Sequence, residues 1–273
     1  LLRAALNVQW TEGVEVLSVH LLGAEEVPAC SVYALLESAI RQLDGEAAVY
    51  LLGLKGAQSL EPQMVLQLMQ LALRLRLLEP MEQLCKLEPA RQLTAGQVQE
   101  TLDLELRMRA CADHAVVQLL DLPGGQQLSS SSISLLLQQA GCHGARQAVV
   151  KLCGLPGAQQ IDSDAAAAVL SFGALELLDS PAIAALSCLP GVQQLPASKV
   201  RDMLRSLLRR DSYSVPTSTT MLAQQLLQLP AAAAIPADEV TELLQLGSQR
   251  KMNAEVMQQL FKLHAAALRR PHA

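Results

Sequence analysis

Apolar residues recur along this chain in a cycle. Each cycle holds a stretch at helical spacing, such as Ile133, Leu136, Leu137 and Ala140, then a polar turn, then a shorter apolar stretch of the type "AVVKLCGL" from Ala148. Side chains three and four residues apart share one face of a helix, so each stretch predicts a helix with one buried stripe. The turn between the two stretches is marked by "DG" at Asp44, "CHG" at Cys142 and "DS" at Asp179, residue types that favour turns and caps.

The second stretch runs into a nearly constant word: "LPGGQQL" at Leu122, "LPGAQQI" at Leu155 and "LPGVQQL" at Leu189. Counterparts of its first leucine stand at Leu21, Leu54, Leu87, Leu122, Leu155, Leu189, Leu229 and Leu263, spaced 33, 33, 35, 33, 34, 40 and 34 residues apart. An apolar residue comes after each anchor (Val27, Leu60, Leu93, Leu128, Ile161, Leu195, Ile235). A second opens the next long stretch (Val32, Val65, Val98, Ile133, Ala166, Val200, Val240). A fixed period of this length predicts stacked supersecondary units. The expected fold is an all-α solenoid of about seven to eight helix-turn-helix repeats, forming a single domain over residues 1–273.

Within a unit, Pro28, Pro62, Pro196 and Pro236 suit a first helical turn, and Ser130 or Ser163 suits a cap. In the constant word the leucine anchors one helix pair, Pro-Gly stops its helix, and the final Leu or Ile plugs into the next unit. The two glutamines are placed to hydrogen-bond neighbouring carbonyls. The long spacing before Leu229 locates an insertion at about 209–220, within "RRDSYSVPTSTT". Both ends fall inside a repeat, as expected of a piece of a longer solenoid or of ends that pack against another element.

Composition supports helix and argues against most enzymes. Half the residues are apolar (51%), but only 2% are aromatic, and Leu, Ala, Gln, Glu and Arg are good helix formers. Few aromatics leave little to build a sheet core or a base-stacking platform. No phosphate-binding loop, dinucleotide-binding glycine pattern or nucleophile elbow is present, so neither catalysis, a cofactor nor a small-molecule substrate is expected. The five histidines lie far apart, and Cys111 with His114 supplies only one C-x-x-H pair, where zinc needs four convergent ligands. The six cysteines have no paired spacing and read as buried, reduced thiols. No apolar run approaches the ~20 residues of a membrane helix.

Charge singles out the last third. Residues 1–194 carry 11 Lys and Arg against 20 Asp and Glu, a balance of −9, while residues 195–273 carry 10 against 6, or +4. Within "SKVRDMLRSLLRRD" from Ser198, Arg201, Arg205 and Arg209 repeat every four residues along one helical face, flanked by Lys199 and Arg210. Such a row is suited to RNA phosphates, whose displaced counterions make binding salt-sensitive. The same row also suits a plain solvated helix face.

The ~34-residue period, with "LL" at Leu136-Leu137 and the "AVxxL" pattern of Ala148, Val149 and Leu152, resembles the pentatricopeptide-repeat class. That family reads single-stranded RNA one base per repeat. The resemblance places base-reading positions at Tyr33, Leu66, Gln99, Ser134, Ala167, Arg201 and Thr241, a set that departs from the family's Asn, Ser and Thr run. The Ala/Gln/Leu-rich "LPGAQQI" style is also similar to repeat proteins of volvocine green algae. These resemblances imply a structural subunit of an organellar ribonucleoprotein such as a mitochondrial ribosome, in the mitochondrion rather than the chloroplast. It would contact RNA backbone through Lys199, Arg201, Arg205, Arg209 and Arg210 and other proteins elsewhere. The alternative is a protein-binding solenoid with no RNA contact.

Overall fold

The computed structural model describes residues 27–107, 113–171, 178–209, 217–250 and 252–269. Among these residues there is no strand, and the helices form seven consecutive hairpins. The fold is an all-α solenoid. By contact the chain divides into two compact units, residues 1–128 and 129–273, although the sequence period runs across the division.

The first unit pairs long helices Ala29–Arg41, Pro62–Arg74 and Ala95–Leu106 with short helices Gly45–Leu52, Leu78–Lys86 and Asp113–Asp121. In the second, Ser130–His143, Ser163–Ser171, Ala197–Arg209 and Ala237–Gln249 pair with Arg146–Cys153, Ser180–Ser187, Thr217–Gln228 and Ala254–Leu268. Within each unit long helices pack on long helices and short on short, which makes two layers. The apolar stripes drive this arrangement: Val65, Leu66, Leu68, Met69, Ala72 and Leu73 are buried on one long helix, and Ala148, Val149, Leu152 and Cys153 on one short helix. Thr217 to Thr220, expected in the insertion, instead belong to the helix Thr217–Gln228.

The turns inside three of the hairpins share one backbone geometry. The N–H groups of Asp44, Leu77 and Ala145 reach back five residues to the carbonyls of Ala39, Ala72 and Ala140 at 2.9–3.0 Å. This closure needs a left-handed residue just before the donor, found at Leu43 (φ 60°), Arg76 (φ 62°) and Gly144 (φ 67°). The helix starts are capped one residue earlier than expected. Ser129 accepts from the Ser132 N–H and Asp162 from the Ala165 N–H, while Asp44 and Asp179 cap short helices and Thr94 forms a capping box with Gln97.

The constant word forms the corner between repeats. Leu54, Leu87, Leu122, Leu155, Leu189 and Leu229 are all buried, as are the apolar residues next in the pattern. The proline of "LPG" does not stop a helix. The short helix has already ended, the leucine is extended, and the proline opens a new single turn. These turns alternate along the chain: Lys55–Gln58, Pro123–Gln126 and Pro190–Gln193 are α-helical, and Glu88–Gln92, Pro156–Gln160 and Pro230–Ala234 are 3-10. In the α-helical turns the glycine lies against the previous corner. A Cβ on Gly56, Gly124 or Gly191 would lie 2.3, 2.5 or 2.4 Å from the carbonyl oxygen of Val27, Leu93 or Ile161. In two of the α-helical corners the first glutamine bonds a carbonyl as expected: the Gln126 and Gln193 amides donate to Leu120 and Ser187 at 2.7 Å, satisfying helix-end acceptors. Leu263 is the exception among the described anchors. It forms no corner and lies inside Ala254–Leu268; Leu21 falls outside the described residues.

Candidate functional site

The helix Ala197–Arg209 buries Val200, Met203, Leu204 and Leu208 and turns its cations outward. Those cations meet carboxylates. Arg201 donates through Nε to Asp202 at 2.9 Å and through Nη1 to Glu239. Arg205 donates to Glu242 and lies 3.7 Å from Asp202. Arg209 reaches the other oxygen of Glu242 at 3.2 Å. Arg250 then donates to the backbone carbonyl of Arg209 at 3.1 Å. The Arg205 hydrogen bond and the charges of Arg205 and Arg209 hold the Glu242 carboxyl below its ordinary range, and hydrogen bonds to Asp202 and Glu239 raise the Arg201 guanidinium further. Of the expected RNA contacts, Arg201, Arg205 and Arg209 are thus engaged inside the fold, and Arg210 lies outside the described residues. Lys199 is exposed and makes no ion pair among the described residues.

Glu239 and Glu242 were legible only by laying one repeat over the next. Val240 stands one repeat after Val200, so Glu239 and Glu242 flank the position beside Arg201 and Arg205. Neutral side chains make the equivalent bridges in the first unit. Tyr33 Oη donates to Gln67 at 2.9 Å, 34 residues on, and Gln97 Nε2 donates to Gln63 at 3.2 Å, 34 residues back.

The positions at which a pentatricopeptide array would read bases are built differently here. Leu66, Ser134 and Ala167 are buried, Tyr33 is bonded to Gln67, and Arg201 is paired. The Thr241 hydroxyl donates to the Ala237 carbonyl at 2.8 Å and lies 3.1 Å from His264 Nε2. Of the cysteines expected to be buried, Cys153 is buried and Cys85 half-buried, and burial pushes both thiols up to about 12, whereas Cys30 and Cys188 are exposed. His114 bonds Gln118 at 2.9 Å, and its expected companion Cys111 lies outside the described residues. Among the described residues no group of three or more His, Cys, Asp and Glu is placed to hold a metal, and no helix is long and apolar enough to cross a membrane.

A second feature adjoins the arginine row. A cavity of about 600 Å³ opens between the long helices Ser163–Ser171 and Ala197–Arg209. Met203 and Leu207 line one wall and Ala167 the other, while Leu222 and Leu226 of the short layer form its floor. Asp164 and Lys199 stand on opposite rims. They make no ion pair with each other among the described residues.

No family model and no curated protein matches the sequence. Among solved structures the chain is similar to a circular tandem repeat protein with novel repeat topology and enhanced subunit contact surfaces. Identity is 15% and the TM-score 0.26, over 98% of this chain and 55% of that one. The chain therefore spans about half the length of that protein, and a likeness of this size bears on neither activity nor partner.

Proposed function

We propose that this chain is a non-catalytic scaffold that binds another protein through the face made by its long helices. The observation that carries this reading is the matching of Arg201, Arg205 and Arg209 by Asp202, Glu239 and Glu242. A phosphate approaching these guanidiniums must displace carboxylates already bonded to them, so little of the row's charge remains for counterion release. The nearby cavity offers what a protein partner uses, an apolar floor with a few polar groups at the rim.

A second reading, a structural subunit of a mitochondrial ribonucleoprotein touching RNA backbone, keeps in its favour the +4 balance of residues 195–273 and the open ammonium of Lys199. Crosslinking in native cell lysate separates the two, with attached RNA sequenced and attached peptides identified by mass spectrometry. Peptide crosslinks on the long helices with RNA at background are expected. RNA crosslinks concentrated at residues 195–220, falling steeply with salt and lost on Arg205→Glu with Arg209→Glu, would overturn the scaffold reading.

A further inference from the structure

The cavity between Ser163–Ser171 and Ala197–Arg209 stands where the junction between Pro62–Arg74 and Ala95–Leu106 is closed by a side-chain bridge. Counted from the buried residue that opens each long helix, Gln63 lies two before Val65 and Gln97 one before Val98. These two bridge successive helices at 3.2 Å. The same two positions at the cavity are Asp164, two before Ala166, and Lys199, one before Val200. A carboxylate and an ammonium occupy the places where two amides close a bridge, yet they stay apart across a cavity of about 600 Å³.

From this we infer that the cavity is a docking site for a partner protein segment carrying an aliphatic side chain flanked by one basic and one acidic residue. The inference rests on the scaffold reading above and names its site. Charge complementarity selects the flanking residues. Asp202 also lines the cavity but is held by Arg201 and Arg205, which leaves Asp164 to take a cation and Lys199 to take a carboxylate. The floor selects the aliphatic group, since Leu222 and Leu226 meet Met203 and Leu207 there. The volume lies within the range of about 300–1,000 Å³ typical of built binding sites. No lining residue is aromatic, so a nucleic acid base has no surface to stack on.

The test is selection of a displayed library of random dodecapeptides on the intact chain, followed by fluorescence anisotropy titration of the enriched peptides. Enriched sequences are expected to hold Leu, Ile or Met between a Lys or Arg and an Asp or Glu. Asp164→Gln combined with Lys199→Gln copies the closed pair of the first unit and should weaken binding about tenfold or more. Because both residues are exposed, the thermal transition should not move. The charge swap Asp164→Lys with Lys199→Asp should lose the original peptides and select ones with the two charges reversed. Peptides that bind wild type and both variants equally would overturn the docking site while leaving a protein scaffold intact. Failure to enrich any peptide would overturn the docking site as well, and tight binding of a random single-stranded RNA pool in its place would overturn the scaffold reading with it.

Discussion

The two units are built from the same hairpin but join their long helices with different chemistry. Among the described residues of the first unit the long-helix bridges are neutral, Tyr33 to Gln67 and Gln97 to Gln63, and one arginine–glutamate pair between repeats has its carboxylate fully buried. There Arg76, in the left-handed turn of one hairpin, donates at 2.9 Å to the fully buried Glu105 of the next long helix. In residues 129–269 the bridges are charged and half-exposed, a ladder from Arg201 to Glu239 and from Arg205 and Arg209 to Glu242, and one junction stands open. The apolar stripe makes the stack, while the polar positions beside it decide whether a junction is sealed, charged or left as a cavity. Those positions can therefore change the character of a junction without altering its core.

The comparison breaks most severely where the corners touch, because that contact is common to both units. Gly191→Ala puts a methyl 2.4 Å from the Ile161 carbonyl oxygen and 2.5 Å from that of Asp162. Both are backbone atoms that cannot swing aside, so the expected loss is about 3 kcal/mol. Gly96→Ala is the control: nothing lies within 4 Å of its Cβ, and in the helix Ala95–Leu106 it should gain about 0.5–1 kcal/mol. Urea unfolding tracked by circular dichroism reads both. Equal effects at the two glycines would mean the corners do not stack as described.

Next in size is Arg76→Ala. It leaves the Glu105 carboxylate buried without its arginine, and the expected loss is about 2 kcal/mol, lowered from the usual figure because the Arg76 side chain is 36% exposed. The arginine ladder should give less. Arg205→Glu sets a like charge against Glu242 and Asp202. The small fall in Tm should shrink in 1 M salt, where the Debye length is about 3 Å, and be recovered by adding Glu242→Arg. The sign of the pH effect comes from Glu242. Its folded pKa lies below its ordinary 4.5, so the ladder's contribution is present above that value and is lost as pH falls through the lowered one. A Glu242 carboxyl whose NMR titration is unmoved by Arg205→Gln would sink the ladder.

The buried positions were readable in the sequence because leucines at 33- to 35-residue spacing hold one place in the repeat, and within each unit they are buried, Leu54, Leu87 and Leu122 in the first and Leu155 and Leu189 in the second. The corner conformation was not. "LPG" looks like a helix stop, yet Pro123 and Pro190 begin turns, since a proline lacking an N–H fits a first helical position better than a last one. The alternation of α-helical and 3-10 corners left no mark, because Gly157 stands in a 3-10 corner where Gly124 stands in an α-helical one. The arginine row was visible, but the Glu242 partner of Arg205 sits 37 residues away and belongs to the row only once the repeats are stacked. Leu263 has the period without the corner: "HAAALRR" carries no proline or glycine to turn the chain, so the helix runs on.

The smallest effect tests the turn itself. Leu43, Arg76 and Gly144 share the left-handed position, and only the last has the residue that prefers it. A leucine there carries a steric cost of roughly 1–2 kcal/mol, while glycine loses about 0.5–1 kcal/mol more chain entropy on folding. The Leu43 side chain is 60% exposed, so little apolar burial is lost with it. Leu43→Gly should accordingly stabilise the protein by about 0.5 kcal/mol, whereas Arg76→Gly, which relieves the same strain, should destabilise it because the bond to Glu105 goes too. Opposite signs from one substitution type at two equivalent positions would show that the turn is held by its backbone at Leu43 and by its side chain at Arg76. A loss of stability in Leu43→Gly would mean instead that its side chain contributes packing the exposed turn does not show.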